Sequence, residues 1–371
     1  MTTLTQVFEL QTPSAIKICR IGIFNDIPNY FSIMLLSQQN NDASNKSISI
    51  CDGGILSDNV YGFVINGTIN AKNTQDIAIN KGKGTSTYYR GFTGKAKNKT
   101  IDTYIVRDPS EKEGNITISW PSPNADLQSA QITAMNHFYD ESSKASNRLF
   151  LTESSTSLPY GRFIVCDTKN NTQLQVSDMM PGVELTYGLD SLAVWKGIMA
   201  FKINNKKPGI FAYNYTTNKV DVLESDVFNI NGEQFSPVDL CVDQRFNSLI
   251  VFMTNENTNA VLRAVIGLDG VLVFNYERAI VYKKEYTGTY VTCYNQITQA
   301  LYAVPSNESS PESFGKIEVI RPFSNDNVEY MAQMENAITI ALDEVNNLLY
   351  CGRPVTPNTT ASPIVSIYKI T

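Results

Sequence analysis

The chain has 371 residues, 42% hydrophobic and 18% charged, which is the balance of an ordinary globular protein with a large core. Its net charge of −6, with no basic run longer than Asn204-Asn205-Lys206-Lys207, argues against a nucleic-acid surface, which needs a concentrated basic face. No apolar run approaches the roughly 20 residues that a membrane helix requires, so membrane insertion is not expected.

The pattern along the chain is that of strands and turns. Apolar residues alternate in short runs bounded by Asn, Gly, Pro, Asp and Ser, and helical periodicity is nearly absent. Residues 5–10 alternate and form a first candidate strand. Residues 31–36, 47–51 and 60–65 read as strands of one four-stranded unit. Residues 76–79, 102–106 and 115–120 read as another, with a Gly/Lys-rich loop predicted over residues 81–99. A third unit takes residues 131–136, 147–152, 162–167 and 173–176, with a polar surface loop over 139–146. A fourth takes residues 188–194, 197–201, 209–214 and 219–223.

From there the chain repeats itself openly. Val238-Asp239-Leu240-Cys241-Val242-Asp243 is followed by a second strand, Asn247-Ser248-Leu249-Ile250-Val251-Phe252. Tyr290-Val291-Thr292-Cys293-Tyr294-Asn295 precedes Ala300-Leu301-Tyr302-Ala303-Val304. Ala337-Ile338-Thr339-Ile340-Ala341-Leu342-Asp343 precedes Asn346-Asn347-Leu348-Leu349-Tyr350. A strand, a polar turn and a second strand recurring about every fifty residues mark the blades of a β-propeller. The sequence thus predicts an all-β fold, a single β-propeller domain over residues 1–371 with four-stranded blades. Seven blades are expected, or six if one N-terminal unit elaborates its neighbour. The last unit, residues 336–371, has room for only three strands. Pairing with the N-terminal strand would complete it and remove two open sheet edges.

Six cysteines, Cys19, Cys51, Cys166, Cys241, Cys293 and Cys351, lie within strands and form no Cys-X-X-Cys pair, which predicts buried thiols rather than disulfides. Residues 1–10 lack a basic segment and an apolar core, so no secretory signal is expected there. The compartment stays open: secreted if a signal has been removed, cytoplasmic otherwise. Asn-X-Ser/Thr sequons begin at Asn45, Asn66, Asn98, Asn115, Asn170, Asn214, Asn307 and Asn358, about as many as chance gives in so Asn-rich a chain, and leave a glycoprotein open.

Gly209-Ile210-Phe211-Ala212-Tyr213, then Ser225-Asp226-Val227-Phe228 and Ile230-Asn231-Gly232-Glu233-Gln234-Phe235, lead directly into the repeat at Val238. In that order, and with residues 162–167 after 149–152, residues 132–349 resemble the yellow and major royal jelly protein family. The resemblance implies a six-bladed propeller and a small amine or sterol in a central channel. That family is usually secreted and disulfide-bonded. This chain departs on both counts.

The first strand of a propeller blade lines the central tunnel, and its entry rings one mouth. Asp190 and Asp239 hold matching entries, and Tyr290 and Asn336 fall near the same level. Together they are candidate ligand-binding residues for a small polar or cationic molecule. The structural alternative is that the two aspartates accept backbone N–H bonds in turns between blades. Asp243, Asn295 and Asp343 stand at the far strand ends, spaced as turn-closing side chains. His137 is the only histidine, which argues against His-based triads and multi-imidazole zinc sites. No phosphate-binding glycine loop is present.

Three functions follow. The first is a non-enzymatic binding protein with a ligand in the funnel or a protein partner on its loop face. The second is a metal-dependent lactonase-like hydrolase of the regucalcin type, with a ring of Asp and Asn holding calcium. The third is an assembly component contacting neighbours through loops at residues 40–46, 81–99 and 306–313.

Overall fold

The computed structural model describes residues 3–12, 15–24, 30–57, 60–80, 87–92, 99–105, 112–118, 131–138, 147–155, 160–176, 180–181, 192–195, 198–203, 209–214, 217–224, 228–266, 271–286, 288–306, 314–321, 328–335, 337–353 and 364–371. They are almost entirely strand, with no α-helix among them.

Strand β1 (Leu4–Gln11) precedes a first antiparallel meander of β2 (Lys17–Phe24), β3 (Tyr30–Gln38), β4 (Lys46–Ser57) and β5 (Val60–Asn70). The second meander is β6 (Thr74–Ile79), β7 (Thr87–Phe92), β8 (Lys99–Ile105) and β9 (Lys112–Ile118). Next come β10 (Gln131–Phe138), β11 (Arg148–Ser155), β12 (Tyr160–Asp167) and β13 (Thr172–Val176), with a two-residue β14 (Met180–Pro181) beside β12. A fourth comprises β15 (Leu192–Trp195), β16 (Ile198–Ile203), β17 (Gly209–Asn214) and β18 (Lys219–Glu224). After a small hairpin, β19 (Asn229–Ile230) and β20 (Glu233–Gln234), the fifth runs β21 (Ser236–Asp243), β22 (Ser248–Thr254), β23 (Thr258–Ile266) and β24 (Leu272–Phe274), with β25 (Ile280–Lys283) also on β23. The sixth is β26 (Thr289–Asn295), β27 (Ala300–Ser306), β28 (Phe314–Ile320) and β29 (Val328–Glu335). The chain ends in β30 (Thr339–Asp343), β31 (Leu348–Gly352) and β32 (Ile364–Ile370).

The last sheet has the order β1-β32-β31-β30. Leu4 faces Ile370 and Gln11 faces Ile364, and the Thr3 and Thr371 backbones exchange bonds of 2.7 and 3.0 Å. The predicted pairing of the N-terminal strand with the C-terminal blade is therefore present. Among the described residues, seven sheets have the four-stranded antiparallel order of a blade, and the fold is a β-propeller. Two expectations need adjustment. The span read as a Gly/Lys-rich loop, residues 81–99, contains strand β7, and the first N-terminal unit gains an unforeseen first strand, β2.

The chain divides into two compact units. Unit 1 is Met1–Lys72, Asp243–Ala264 and Phe274–Thr371, and unit 2 is Asn73–Val242 and Val265–Val273. In unit 1 the sheets pack face on face, and alternate side chains of one strand serve different cores. Leu348 and Tyr350 of β31 join Ile18, Ile33, Leu35 and Phe63 on one side. Leu349 and Cys351 join Tyr302, Val319 and Tyr368 on the other. Strands buried on both faces read as continuous apolar runs, which is why residues 33–36 and 300–304 lack alternation. Unit 2 repeats the arrangement with Ala78, Tyr89, Ile101, Ile132, Met135, Leu149, Leu151 and Cys166.

None of the six cysteines forms a disulfide; Cys51, Cys166 and Cys351 are buried, and Cys19, Cys241 and Cys293 are partly buried. Burial pushes the Cys51 and Cys166 thiols up to about 12. Both are packing residues with little thiolate at neutral pH.

Candidate functional site

Two of the four predicted ligand residues, Asp190 and Asn336, lie outside the described residues. Asp239 and Tyr290 are described, one in each unit. Asp239 is buried, and its Oδ1 accepts the N–H of Leu240 at 2.8 Å. Asp76 near the start of β6 does the same for Ile77 at 2.7 Å, while its Oδ2 accepts the N–H of Met135 on β10 at 2.8 Å. The Asp76 carboxylate thus staples one blade's first strand to the next, and Asp239 makes the first of the two bonds. The sequence leaves acceptance of backbone N–H bonds in turns between blades as the alternative for Asp190 and Asp239; Asp239 does accept a backbone N–H, that of its own neighbour Leu240.

Tyr290 is the second residue of β26 and is 3% exposed. Its hydroxyl donates to Oε1 of Glu318 on β28 at 2.9 Å, and the Tyr282 hydroxyl donates to Oε2 at 2.5 Å. Asn259, paired with Tyr282 across β23 and β25, donates Nδ2 to that tyrosine's hydroxyl at 3.4 Å. Thr254 Oγ1 donates to Asn259 Oδ1 at 3.1 Å, and Lys284 Nζ donates to Thr254 Oγ1 at 3.1 Å. Phe252 and Tyr286 pack on the Tyr290 ring, with centroids 5.3 and 5.8 Å away. Desolvation raises the Glu318 carboxyl above the ordinary glutamate range, against the lowering effect of bonds from Tyr282, Tyr290 and Asn259. Burial likewise depresses Lys284, an effect opposed by the Glu318 charge. The sequence signal for Glu318 was a lone acid between Ile317 and Val319 in an apolar strand. Its partners, 28 and 36 residues away in the chain, gave none.

The turns after β21, β26 and β30 form a second constellation, wholly within unit 1. In each, the first side chain accepts backbone N–H groups of the turn: Asp243 from Phe246, Asn295 from Ile297 and Thr298, and Asp343 from Asn346. The fifth residue takes a left-handed conformation, with φ of 48° at Asn247, 56° at Gln299 and 53° at Asn347. Asn tolerates that region better than most residues because its short side chain bonds locally. The turn-closing roles expected of Asp243, Asn295 and Asp343 are thus present.

Successive turns are also tied together. The Gln244 N–H donates to Oε1 of Gln296 at 2.8 Å, and the Gln296 N–H donates to Oε1 of Glu344. The fourth residue of each turn is held by a cation from the third strand of its own blade or from the residue just past it. The Arg263 guanidinium lies 4.5 Å over the Phe246 ring and pairs with Asp243. Arg321, just past β28, bonds the Thr298 carbonyl at 3.5 Å, and Lys369 of β32 bonds that of Asn346 at 2.8 Å. Each tip exposes one apolar side chain: Phe246 at 48%, Ile297 at 67% and Val345 at 54%.

His137 is buried, stacked on Tyr89 at 5.6 Å, with Nε2 3.4 Å from the Thr168 hydroxyl. Among the described residues, no three His, Cys, Asp or Glu side chains gather as a metal-binding group, and no helix is long and apolar enough to cross a membrane.

No protein-family model and no curated protein matches the chain. Among solved structures it is similar to the Dos1 propeller, with a TM-score of 0.58 at 9% identity over 99% of this chain and 95% of that one. A protein from Lactobacillus plantarum aligns with a TM-score of 0.48 at 12% identity over 82% of each chain. At such identities the likeness to the Dos1 propeller establishes a common fold and no more.

Proposed function

We propose that the chain is a non-enzymatic scaffold that binds a protein partner through the turns joining first and second strands. The observation carrying this reading is the set of three tied turns that hold Phe246, Ile297 and Val345 in water. Exposed apolar side chains on loops fixed to a rigid frame suit recognition. The polar groups of Tyr290 and Asp239 are meanwhile engaged by Glu318 and the Leu240 backbone, which favours a partner on this face over a small molecule at those residues.

A photocrosslinking amino acid at position 297 tests the reading, with position 64 as control, since Val64 is 63% exposed on β5. In cells of the source organism, protein adducts should form from position 297 and not from position 64. Equal labelling from both positions would remove the proposal.

A further inference from the structure

Resting on that reading, we infer that Gln296 and Glu344 are positioning residues, which hold the three apolar tips at fixed spacing as one recognition surface. Each turn is closed without them. Asp243, Asn295 and Asp343 accept N–H groups of their own turns, and the fifth residue takes up the left-handed conformation. The blades also hold together without them. Tyr302, Val319, Leu349 and Cys351 share one core, Phe252 packs on Tyr290, and Tyr282 bonds Glu318. What the second residue of a turn adds is a bond to the turn before it. Gln296 Oε1 takes the Gln244 N–H at 2.8 Å, and Glu344 Oε1 takes the Gln296 N–H. Gln296 is thus engaged on both sides, through its side chain toward one turn and its backbone toward the other.

The residue types suit that task. Asn and Asp bond their own turn, as the first position does here. A further methylene lets Gln and Glu reach the neighbouring turn with an acceptor oxygen. Magnitudes then separate positioning from stability. A hydrogen bond is worth about two- to tenfold in an equilibrium constant, which is minor beside the stability of a whole domain. At a binding surface the same factor counts in full, because a loop already held in its bound arrangement carries no ordering cost on association. Each tied N–H lies close in the chain to an exposed tip: Gln244 precedes Phe246 by two residues, and Gln296 directly precedes Ile297.

The test changes one turn and reads the turn before it. Gln296→Met keeps the length of the side chain and removes its oxygen. In that variant the Gln244 amide should exchange with solvent about fivefold faster, measured by NMR. Benzoylphenylalanine at position 246, irradiated in cells of the source organism, should give about fivefold less protein adduct than in the parent background. Gln296→Glu restores an acceptor oxygen and should recover both readings. Glu344→Met and Glu344→Gln repeat the comparison one blade on, read at the Gln296 amide and with the crosslinker at position 297. Melting temperatures should stay at the wild-type value throughout.

Faster Gln244 exchange with undiminished adduct from position 246 would overturn the positioning role and leave the scaffold reading standing. Unchanged exchange in Gln296→Met would overturn it as well, since the bond would not be holding the turn. Equal loss of adduct in Gln296→Glu would make the side chain itself a contact with the partner, against the inference. A melting temperature that falls together with the adduct would assign the bond to the fold. Absence of adducts from positions 246 and 297 in the parent background would remove the scaffold reading and this inference with it.

Discussion

The Tyr290 hydroxyl and the Glu318 carboxylate meet at 2.9 Å in a buried setting, joining the entry of β26 to the middle of β28. Removing the donor with Tyr290→Phe leaves a buried carboxylate oxygen short of one partner. Denaturant unfolding should show a loss of about 1–3 kcal/mol, the usual penalty for stranding such a group.

The same acid gives the stability curve a sign. The folded state raises the Glu318 carboxyl above its unfolded value, so its contribution is fully present below the ordinary glutamate range. That contribution is lost as pH rises through the raised folded value. Glu318→Gln keeps the shape and cannot ionise. Its melting temperature relative to wild type should therefore rise as pH goes from acid to neutral, and a difference independent of pH would contradict the shift.

Glu153 and Arg162 form a cross-strand ion pair at 2.6 Å, with both side chains essentially inaccessible. Glu153→Ala takes the Glu153 carboxylate away from a buried guanidinium and should cost about 3–5 kcal/mol by chemical denaturation. Replacing both with methionine should recover most of that loss, since an apolar pair of similar volume carries no desolvation penalty.

Asn347 sits at φ 53° in the turn after β30. Asn347→Val forces a β-branched residue into the left-handed region and should lower stability by about 1–2 kcal/mol. Asn347→Gly should stay within about 1 kcal/mol of wild type in the same thermal assay.

Strand β1 completes the sheet of β30, β31 and β32. Deleting residues 3–11 exposes the β32 edge, and size-exclusion chromatography should show the protein moving to aggregates. A synthetic peptide of residues 3–12 added during refolding should restore the discrete peak.

Much of this architecture was legible because strand period and turn chemistry are local. The Asp243, Asn295 and Asp343 turns announced themselves by repetition, and the alternation over residues 5–10 announced β1. Strand β2 hid because a bulge between Ile18 and Arg20 breaks its period of two. Strand β7 hid because its core residues include Arg90, 7% exposed and lying 5.7 Å from the Tyr104 ring centroid. The candidate sites were less legible. Which tyrosines meet Glu318 depends on strands of two different sheets, β25 and β26, and a turn's cation comes from the far end of its blade's third strand. Sequence spacing is blind to both.

The pairing of β1 with β32 also sets a timetable. During synthesis β1 must wait for β32, on the order of half a minute at ordinary elongation rates. Until then β1 is an orphaned ribbon and the sheet it completes is an unfinished seam. Quality-control factors thus have a long window in which to capture or discard it, and cellular abundance should respond to translation speed as much as to the stability of the finished molecule.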